Sequence, residues 1–288
     1  MAIGSIIHTW FNGQWHKGNV PILGAADHAT WLGTLVFDGA RRFEGLTPDL
    51  DRHCERVNRS ALTLGLTPTL TTEAIVALAR EGLEAIPGDE SVYIRPMYWS
   101  VEGADFNPVA ADGESTAFAL CLESAPMPAA DATQTLTRTQ FCRPTLASAT
   151  VDAKAACLYP NNARMLREAN RKGFHNALVC DALGNVAETA TTNVFMVRDG
   201  EVFTPVPNGT FLNGITRQRV MAVLQADGVV VHQQTLTPAD FAQADEVFLT
   251  GNMSKVTQVT ALDDVHYEAG PIGRRARELY WDWSRSAG

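Results

Sequence analysis

Hydrophobic and polar positions alternate along much of the first half of the chain, and two stretches of helical spacing interrupt the alternation. Residues 6–23 alternate around Asn12-Gly13, which predicts an antiparallel hairpin. The apolar spacing of residues 50–64 and 72–86 is that of amphipathic helices. Further strands are predicted at 34–37, 91–101 and 117–122.

The second half of the chain shows the same mixture of strands, turns and helices. Asp199-Gly200, between two apolar runs, is a strong hairpin signal. Helices are predicted at 161–172, 215–226, 238–242 and 272–283. Strands are predicted at 135–143, 177–180, 186–189, 194–197, 201–204, 229–233 and 246–250. Hairpins are too frequent for a doubly wound parallel sheet, so the sequence predicts a mixed α/β protein.

One segment lacks any periodicity and separates the two halves. Residues 124–132 are rich in proline and alanine, a composition typical of a linker between domains. We therefore expect a small N-terminal α/β domain at 1–123 and a larger C-terminal domain at 133–288.

Composition narrows the functional classes. The 288 residues carry a net charge of −9 without any run of basic residues, which argues against nucleic-acid binding. No apolar run is long enough for a signal peptide or a membrane span. The 5 cysteines are an odd number without CxxC spacing, so we expect reduced thiols in a cytoplasmic protein and no zinc site.

Lys154 stands among small and apolar residues, in the segment Ala153-Lys154-Ala155-Ala156-Cys157. Such a setting disfavours the charged form of an amine, and an uncharged amine is a usable nucleophile. The alternative is a lysine at the edge of an element whose charge reaches solvent. Most lysines are surface lysines, so this segment alone favours the second interpretation.

Two loops could bind an anion. Gly214-Ile215-Thr216 lies where a loop enters a helix, and free N–H groups at a helix start suit a phosphate. Gly251-Asn252-Met253-Ser254 follows a strand and could also present amides. Taken alone, an ordinary helix start and a simple turn are the commoner interpretations.

Three charged residues have settings of different kinds. Arg56 lies on an amphipathic helix, so the default is a solvated surface arginine. Arg95 lies inside an apolar strand and needs an anionic partner, either a structural carboxylate or that of a substrate. Glu188 ends a strand and is an ordinary acid on its own.

Taken as an ordered set, these motifs resemble the class IV pyridoxal-phosphate (PLP) aminotransferases, which include branched-chain and D-amino-acid aminotransferases. Lys154 is followed by Tyr159, by an acid-to-phenylalanine run from Glu188 to Phe195, and by segments 212–217, 244–248 and Gly251, with 37–41 and His53-x-x-Arg56 upstream. The resemblance extends from about Asp27 onward. It implies a fold-type IV enzyme with two domains, PLP between them, and a homodimer that completes each pocket.

The resemblance also implies residue roles. Lys154 would hold PLP as a Schiff base and then move the proton between the substrate α-carbon and the cofactor. Glu188 would keep the pyridine nitrogen protonated, and Tyr159 would donate a hydrogen bond to the ring oxygen. The phosphate ligands would be Arg56, Ile215, Thr216, Gly251 and Asn252.

The tetrad Tyr93-Ile94-Arg95-Pro96 resembles the branched-chain branch of the family, where it organises the side of the pocket that receives the substrate carboxylate. Phe37, Trp31 and Leu32 could form an apolar wall. The expected reaction is a ping-pong transfer of an amino group from a branched-chain-type amino acid to a 2-oxo acid, with 2-oxoglutarate as the expected acceptor.

Departures from the family pattern lie around the substrate. Leu32 stands where branched-chain enzymes usually have tyrosine, and Asn252-Met253 stand where they have Thr-Ala, with Met253 near the substrate carboxylate. Segment 102–108 also differs. An (R)-selective amine or D-amino-acid transaminase is therefore an alternative, and an aminodeoxychorismate-lyase-type enzyme is another. A protein that only bound the cofactor would be expected to lose Lys154 or Glu188.

Overall fold

The structure is a computed structural model that describes residues 4–286, and the chain divides into two compact units. The first unit consists of residues 4–127 together with Ala153–Cys157. The second consists of Pro128–Asp152 and residues 158–286. The segment that contains Lys154 thus packs with the N-terminal part of the chain.

The first unit is built on a six-stranded antiparallel sheet. Its strands are β1 (Ile7–Phe11), β2 (Gln14–Lys17), β3 (Leu35–Phe37), β4 (Ala40–Arg42), β5 (Val92–Ser100) and β8 (Thr116–Ser124), and a separate hairpin consists of β6 (Gly103–Ala104) and β7 (Asn107–Ala111). The strand order is β2-β1-β8-β5-β3, and β4 also pairs with β5. The short strands β3 and β4 therefore share one edge of β5.

Three helices accompany this sheet: α1 (His28–Leu32), α2 (Leu50–Thr63) and α3 (Thr72–Glu84). The buried residues of α2 recur every three or four positions, as expected for one helix face packed against β3 and β5. That face includes three polar residues, His53, Arg56 and Ser60. The hydroxyl of Thr71 caps α3 by accepting a hydrogen bond from the N–H of Ala74 at 3.2 Å.

The second unit contains a nine-stranded mixed sheet. Its strands are β9 (Thr133–Cys142), β10 (Asn176–Cys180), β11 (Val186–Thr189), β12 (Asn193–Arg198), β13 (Glu201–Pro205), β14 (Val231–Gln234), β15 (Glu246–Gly251), β16 (Lys255–Leu262) and β17 (Val265–His266). Their order is β11-β10-β9-β16-β15-β12-β13-β14, with β17 on β16. Pairs β9–β10, β9–β16 and β13–β14 are parallel, and the others are antiparallel.

The helices of the second unit are α4 (Tyr159–Arg171), α5 (Ile215–Ala226), α6 (Pro238–Ala242) and α7 (Pro271–Ser286). Helix α4 connects the parallel strands β9 and β10, and α5 packs against α7 and β15. Apolar side chains from β12, β15 and β16 form a core with Phe241 of α6. Both the N-terminus of α5 and the turn after β15 belong to this unit.

The predicted mixture of α and β structure is confirmed, and α5 and α6 begin and end where the sequence predicted. Helix α1 and the β6–β7 hairpin were not predicted. Helix α1 has only 5 residues and stops at Gly33, whose φ is 73°. The β6–β7 hairpin leaves Phe106 85% exposed and Val109 67% exposed, so it lacks the alternation that marks a half-buried strand. Across residues 4–286, no helix has the length and apolar character needed to cross a membrane.

Candidate active site

Lys154 is held through its backbone by two elements of the first unit. Its carbonyl oxygen accepts a hydrogen bond from the N–H of Phe37 at the end of β3, at 3.1 Å. Its own N–H donates to the hydroxyl of Ser60 on α2, also at 3.1 Å. The next residue, Ala155, forms an antiparallel bridge with Val36. The Lys154 ammonium lies 5.1 Å from the centroid of the Phe37 ring, and the residue is only partly buried.

Asp38 is completely buried, and its carboxylate contacts two basic side chains of α2. Its carboxylate accepts hydrogen bonds from Arg56 Nε at 2.6 Å and Nη2 at 2.8 Å, and it lies 2.7 Å from His53 Nδ1. Burial by itself raises the pKa of Asp38, but Arg56 and His53 outweigh burial and hold that pKa well below its usual range. Arg56 is 5% exposed, so the surface position that its helix pattern alone favoured is wrong.

Arg95 has a structural carboxylate as its partner. Its Nη2 donates to Oε2 of Glu123 on the neighbouring strand β8 at 2.7 Å. Burial lowers the pKa of Arg95, but Cys121 and Glu123 together raise it above its usual value. The sequence left two possible partners for Arg95, a structural carboxylate and that of a substrate. The structure shows a structural carboxylate, that of Glu123. The Arg95 guanidinium also lies 5.1 Å from the centroid of the Tyr93 ring.

Gly39 makes room for the Tyr93 hydroxyl. A Cβ at Gly39 would come within 2.1 Å of the Tyr93 hydroxyl oxygen, so no larger residue fits there without displacing the tyrosine. Tyr93 also pairs across the strands with the buried Arg41 of β4. Burial lowers the pKa of Arg41 to about 10. Tyr93 is therefore fixed both through its strand and at its hydroxyl.

The residues predicted to contact substrate occupy several elements. In the first unit, Phe37 and Leu32 are half-buried at the ends of β3 and α1, and Trp31 is 60% exposed. In the second unit, Met253 is half-buried in the turn between β15 and β16. Each therefore has side-chain surface available for a small molecule.

Glu188 lies on β11 and is buried between two partners. Its Oε1 is 3.1 Å from Nη2 of Arg143, and its Oε2 accepts a hydrogen bond from Nδ2 of Asn193 at 3.2 Å. Arg143 is itself buried and donates to Oδ1 of Asn162 at 2.6 Å and to the carbonyl oxygen of Thr189 at 2.7 Å. The Glu188 carboxylate is thus paired with a guanidinium whose own position is fixed.

The N-terminus of α5 lies next to this acid. Asn193, which contacts Glu188, also donates to the carbonyl oxygen of Leu212 at 3.0 Å. A Cβ at Gly214, the N-cap of α5, would come within 2.1 Å of Asn193 Oδ1, so glycine is required there. Among the described residues, no side chain caps α5, and its first two residues, Ile215 and Thr216, are buried. The helix start that the sequence proposed as a phosphate site therefore keeps its N–H groups clear of a capping side chain.

The second predicted anion loop is the turn that joins β15 to β16. A Cβ at Gly251 would come within 2.8 Å of Cγ2 of Thr192. The Oδ1 of Asn252 accepts a hydrogen bond from Nζ of Lys255 at 2.7 Å. Tyr159, predicted to contact the ring oxygen, is the first residue of α4 and is 36% exposed. In this second unit, hydrogen bonds of Asn193 connect Glu188 to the segment just before α5.

Sequence reasoning missed three residues of these clusters. Arg143 and Lys255 carried no role in the sequence interpretation, and Asn193 was included only within the run from Glu188 to Phe195. The available signal was that each is a polar residue beside or within an apolar strand, where a buried polar group needs a partner.

Comparisons with known proteins give a consistent result. The model of the family described as amino-transferase class IV matches residues 35–262. The branched-chain-amino-acid aminotransferase of Escherichia coli K12 is 27% identical over 286 residues, which cover 95% of this chain and 92% of that protein.

Two solved structures resemble the fold over nearly their whole length. An aminotransferase from Brucella abortus bound to the cofactor PLP has a TM-score of 0.96 and 61% identity, with coverage of 97% of this chain and 99% of that one. The branched-chain amino acid aminotransferase of Escherichia coli has a TM-score of 0.87 and 25% identity, with coverage of 96% of this chain and 94% of that one.

Proposed function

The chain belongs to the class IV aminotransferases, and on that premise we propose that it moves an amino group from a branched-chain-type amino acid to 2-oxoglutarate. It is a PLP-dependent transaminase of fold type IV. The observation that carries the transaminase part of the proposal is the buried carboxylate of Glu188, which Arg143 and Asn193 fix. A buried acid is costly, so its presence together with Lys154 is expected of an enzyme that uses its cofactor rather than only storing it.

The chemical groups that the chain could offer to a cofactor suit PLP. Lys154 supplies an amine, and Glu188 supplies a fixed anion for a protonated ring nitrogen. Gly214 and Gly251 lie beside main-chain N–H groups, and neighbouring atoms already occupy the space of a Cβ at both. When bound, the cofactor supplies an electron sink for the carbanion left when the substrate α-carbon loses its proton.

Lys154 is proposed to hold the cofactor covalently and to move protons. The free amine of Lys154 would take the proton from the substrate α-carbon and deliver it to the cofactor, and it would move a proton in the opposite direction when the acceptor reacts. Hydrogen bonds of its backbone to Phe37 and Ser60 limit the positions that Nζ can reach. The amino group would stay on the enzyme when the first product leaves and pass to the acceptor afterwards, which gives a ping-pong mechanism.

Arg143 is proposed to keep Glu188 ionised beside the ring nitrogen. Its guanidinium lies 3.1 Å from the carboxylate and is anchored on Asn162 and on the carbonyl oxygen of Thr189. An anion fixed in this way favours a proton on the ring nitrogen and needs no rearrangement during the reaction.

Replacement of Glu188 with glutamine is expected to lower kcat by about 10²- to 10³-fold, since one preorganised charge is lost. Glutamine keeps the shape of the side chain, and its amide oxygen can still accept from Asn193, although the buried ion pair with Arg143 is lost. Steady-state kinetics with a saturating amino donor measures the effect. Glu201→Gln is the matched control, because Glu201 is a half-exposed acid of the same sheet that pairs with His232, 2.7 Å apart. A kcat within twofold of the unmodified enzyme would remove Glu188 from the mechanism.

The cofactor phosphate and the ring oxygen each have proposed ligands. The proposed phosphate ligands are the guanidinium of Arg56, the N–H groups of Ile215 and Thr216, and the turn at Gly251-Asn252. Fixed N–H groups at an uncapped helix start, together with a positioned arginine, match a phosphate dianion. Tyr159 is assigned to the ring oxygen.

The branched-chain assignment rests on the Tyr93-Ile94-Arg95-Pro96 tetrad and on relatives of that name. In this proposal Tyr93 and Arg95 form the side of the pocket that receives the substrate carboxylate. Phe37 and Leu32 supply apolar surface for the side chain. Met253 favours the alternative, because a bulky residue in that turn changes the space beside the carboxylate, as an (R)-amine or D-amino-acid transaminase would require.

A substrate screen separates these assignments. We expect L-leucine with 2-oxoglutarate to be turned over faster than D-alanine or (R)-1-phenylethylamine with either 2-oxoglutarate or pyruvate. The products are followed spectrophotometrically, and initial rates at several fixed acceptor concentrations should give the parallel lines of a ping-pong mechanism. Turnover of the amine without turnover of L-leucine would overturn the branched-chain assignment.

A homodimer and a cytoplasmic location complete the proposal. The dimer follows from the family resemblance, in which a second copy completes each pocket. The location is supported by cysteines at 54, 121, 142, 157 and 180 that form no disulfide with one another.

A further inference from the structure

Lys255 is a buried amine that the mechanism above leaves unused. It opens β16 directly after the turn formed by residues 251–254, and none of its surface is exposed. Its φ is 60°, in the left-handed region that side chains other than glycine and asparagine rarely adopt. A lysine that is both buried and held in this conformation is costly, and such residues cluster at functional sites.

The side chain of Lys255 contacts the turn at residues 251–254. Its Nζ lies 2.7 Å from Oδ1 of Asn252 and 5.8 Å from the centroid of the Tyr280 ring on α7. An ammonium can only donate, so this bond requires the oxygen of the Asn252 amide to face the lysine. The NH₂ group of the same amide then points away from the lysine.

Phosphate binding gives this arrangement a physical reason. The chain carries a net charge of −9, which repels a phosphate dianion, so a local positive potential is needed where one binds. In the family, the corresponding turn reads Gly-Thr-Ala, and here Asn252 replaces the threonine. An asparagine amide oxygen facing a phosphate would repel it, whereas Lys255 fixes the opposite orientation.

We infer that Lys255 provides a buried positive charge behind the phosphate subsite and positions Asn252 so that the amide NH₂ group donates to the phosphate. This inference rests on the proposed function, because it takes the 251–254 turn as part of the PLP site. Lys255 acts here as a positioning residue, and its contribution depends on the phosphate group rather than on the ring or the substrate.

The test compares PLP with pyridoxal, which lacks the phosphate. The full-length enzyme is stripped of cofactor, reloaded with either compound, and titrated by tryptophan fluorescence. Lys255→Met should raise the Kd for PLP by about tenfold or more, as expected for loss of a charge-assisted contact, and leave the Kd for pyridoxal within about twofold. Lys255→Arg should restore part of the loss. Lys172→Met, at a lysine paired with Glu168 at 2.9 Å, should change neither Kd.

A second variant keeps the inference testable if Lys255→Met does not fold. Asn252→Asp should retain the fold, since an aspartate can pair with Lys255. It should still raise the Kd for PLP and not that for pyridoxal, because the aspartate carboxylate repels the phosphate. If Lys255→Met raised the Kd values for PLP and pyridoxal equally, Lys255 would serve only to stabilise the hairpin, and the inference would be overturned. Unchanged Kd values would overturn it as well. With an unfolded Lys255→Met, unchanged PLP affinity in Asn252→Asp would overturn it. Failure of the unmodified enzyme to bind PLP would instead defeat the proposed function, and this inference with it.

Discussion

Replacement of Lys154 with alanine is expected to lower kcat by about 10⁴-fold, the upper end of what a positioned proton-transfer group contributes. The variant loses both the covalent attachment of the cofactor and the group that moves the proton. The fold should be retained, because the contacts that anchor this segment come from the backbone of Lys154, through Phe37 and Ser60. Stopped-time assays with L-leucine and 2-oxoglutarate measure the residual rate.

The control for this variant is Lys172→Ala, which removes a partly exposed lysine at the C-cap of α4. Full activity should be retained, since Lys172 Nζ contacts Glu168 and the carbonyl oxygen of Arg138, neither of which has a role in the proposed site. A Lys154→Ala enzyme that kept more than a tenth of the normal kcat would rule out Lys154 as the proton carrier.

Replacement of Asp38 with asparagine is expected to lower the free energy of unfolding by about 3–5 kcal/mol, the usual cost of breaking a buried ion pair. The variant leaves the buried Arg56 and His53 beside a neutral amide. Denaturant unfolding of the full-length protein at pH 7 measures the loss. Asp51→Asn is the control on α2, the helix that carries Arg56 and His53, where an exposed carboxylate in the first turn contributes at most about 1 kcal/mol.

The effect of Asp38 also has a defined pH dependence. Because its pKa is lower in the folded chain than in the unfolded chain, its stabilisation is complete above about pH 4 and is lost as the pH falls further. The stability difference between the unmodified protein and Asp38→Asn should therefore narrow as the pH falls below about 4. A difference that widened as the pH fell below about 4 would contradict the ion pair.

The sequence predicted the elements whose patterns repeat over several turns or strand residues. Helix α5 shows this, with apolar residues Val220 and Leu224 one turn apart and both fully buried. Helix α1 and the β6–β7 hairpin escaped prediction because a short helix and an exposed hairpin produce no sustained period. Their positions depend on contacts outside the segment, such as the hydrogen bond from the N–H of His28 to the carbonyl oxygen of Val101 at 2.8 Å.

The partners of the site residues could not be predicted from spacing. Lys154 donates to a hydroxyl 94 residues away, at Ser60, and no local pattern encodes such a pair. Arg95 shows the limit most directly. Its apolar strand correctly required an anionic partner, but only the register of β5 with β8 brings Glu123 within 2.7 Å of its guanidinium. Residue types thus predicted the chemistry, and the packing of distant strands determined the partners.

The most direct test of the central claim is the site of covalent attachment of the cofactor. The purified enzyme is reduced with borohydride, digested, and analysed by mass spectrometry. The account predicts one phosphopyridoxyl group per chain, attached to Lys154, and no such group in Lys154→Ala. Attachment at another lysine, including Lys255, or loss of the visible absorption without any modified peptide, would contradict the assignment of Lys154 as the reactive amine.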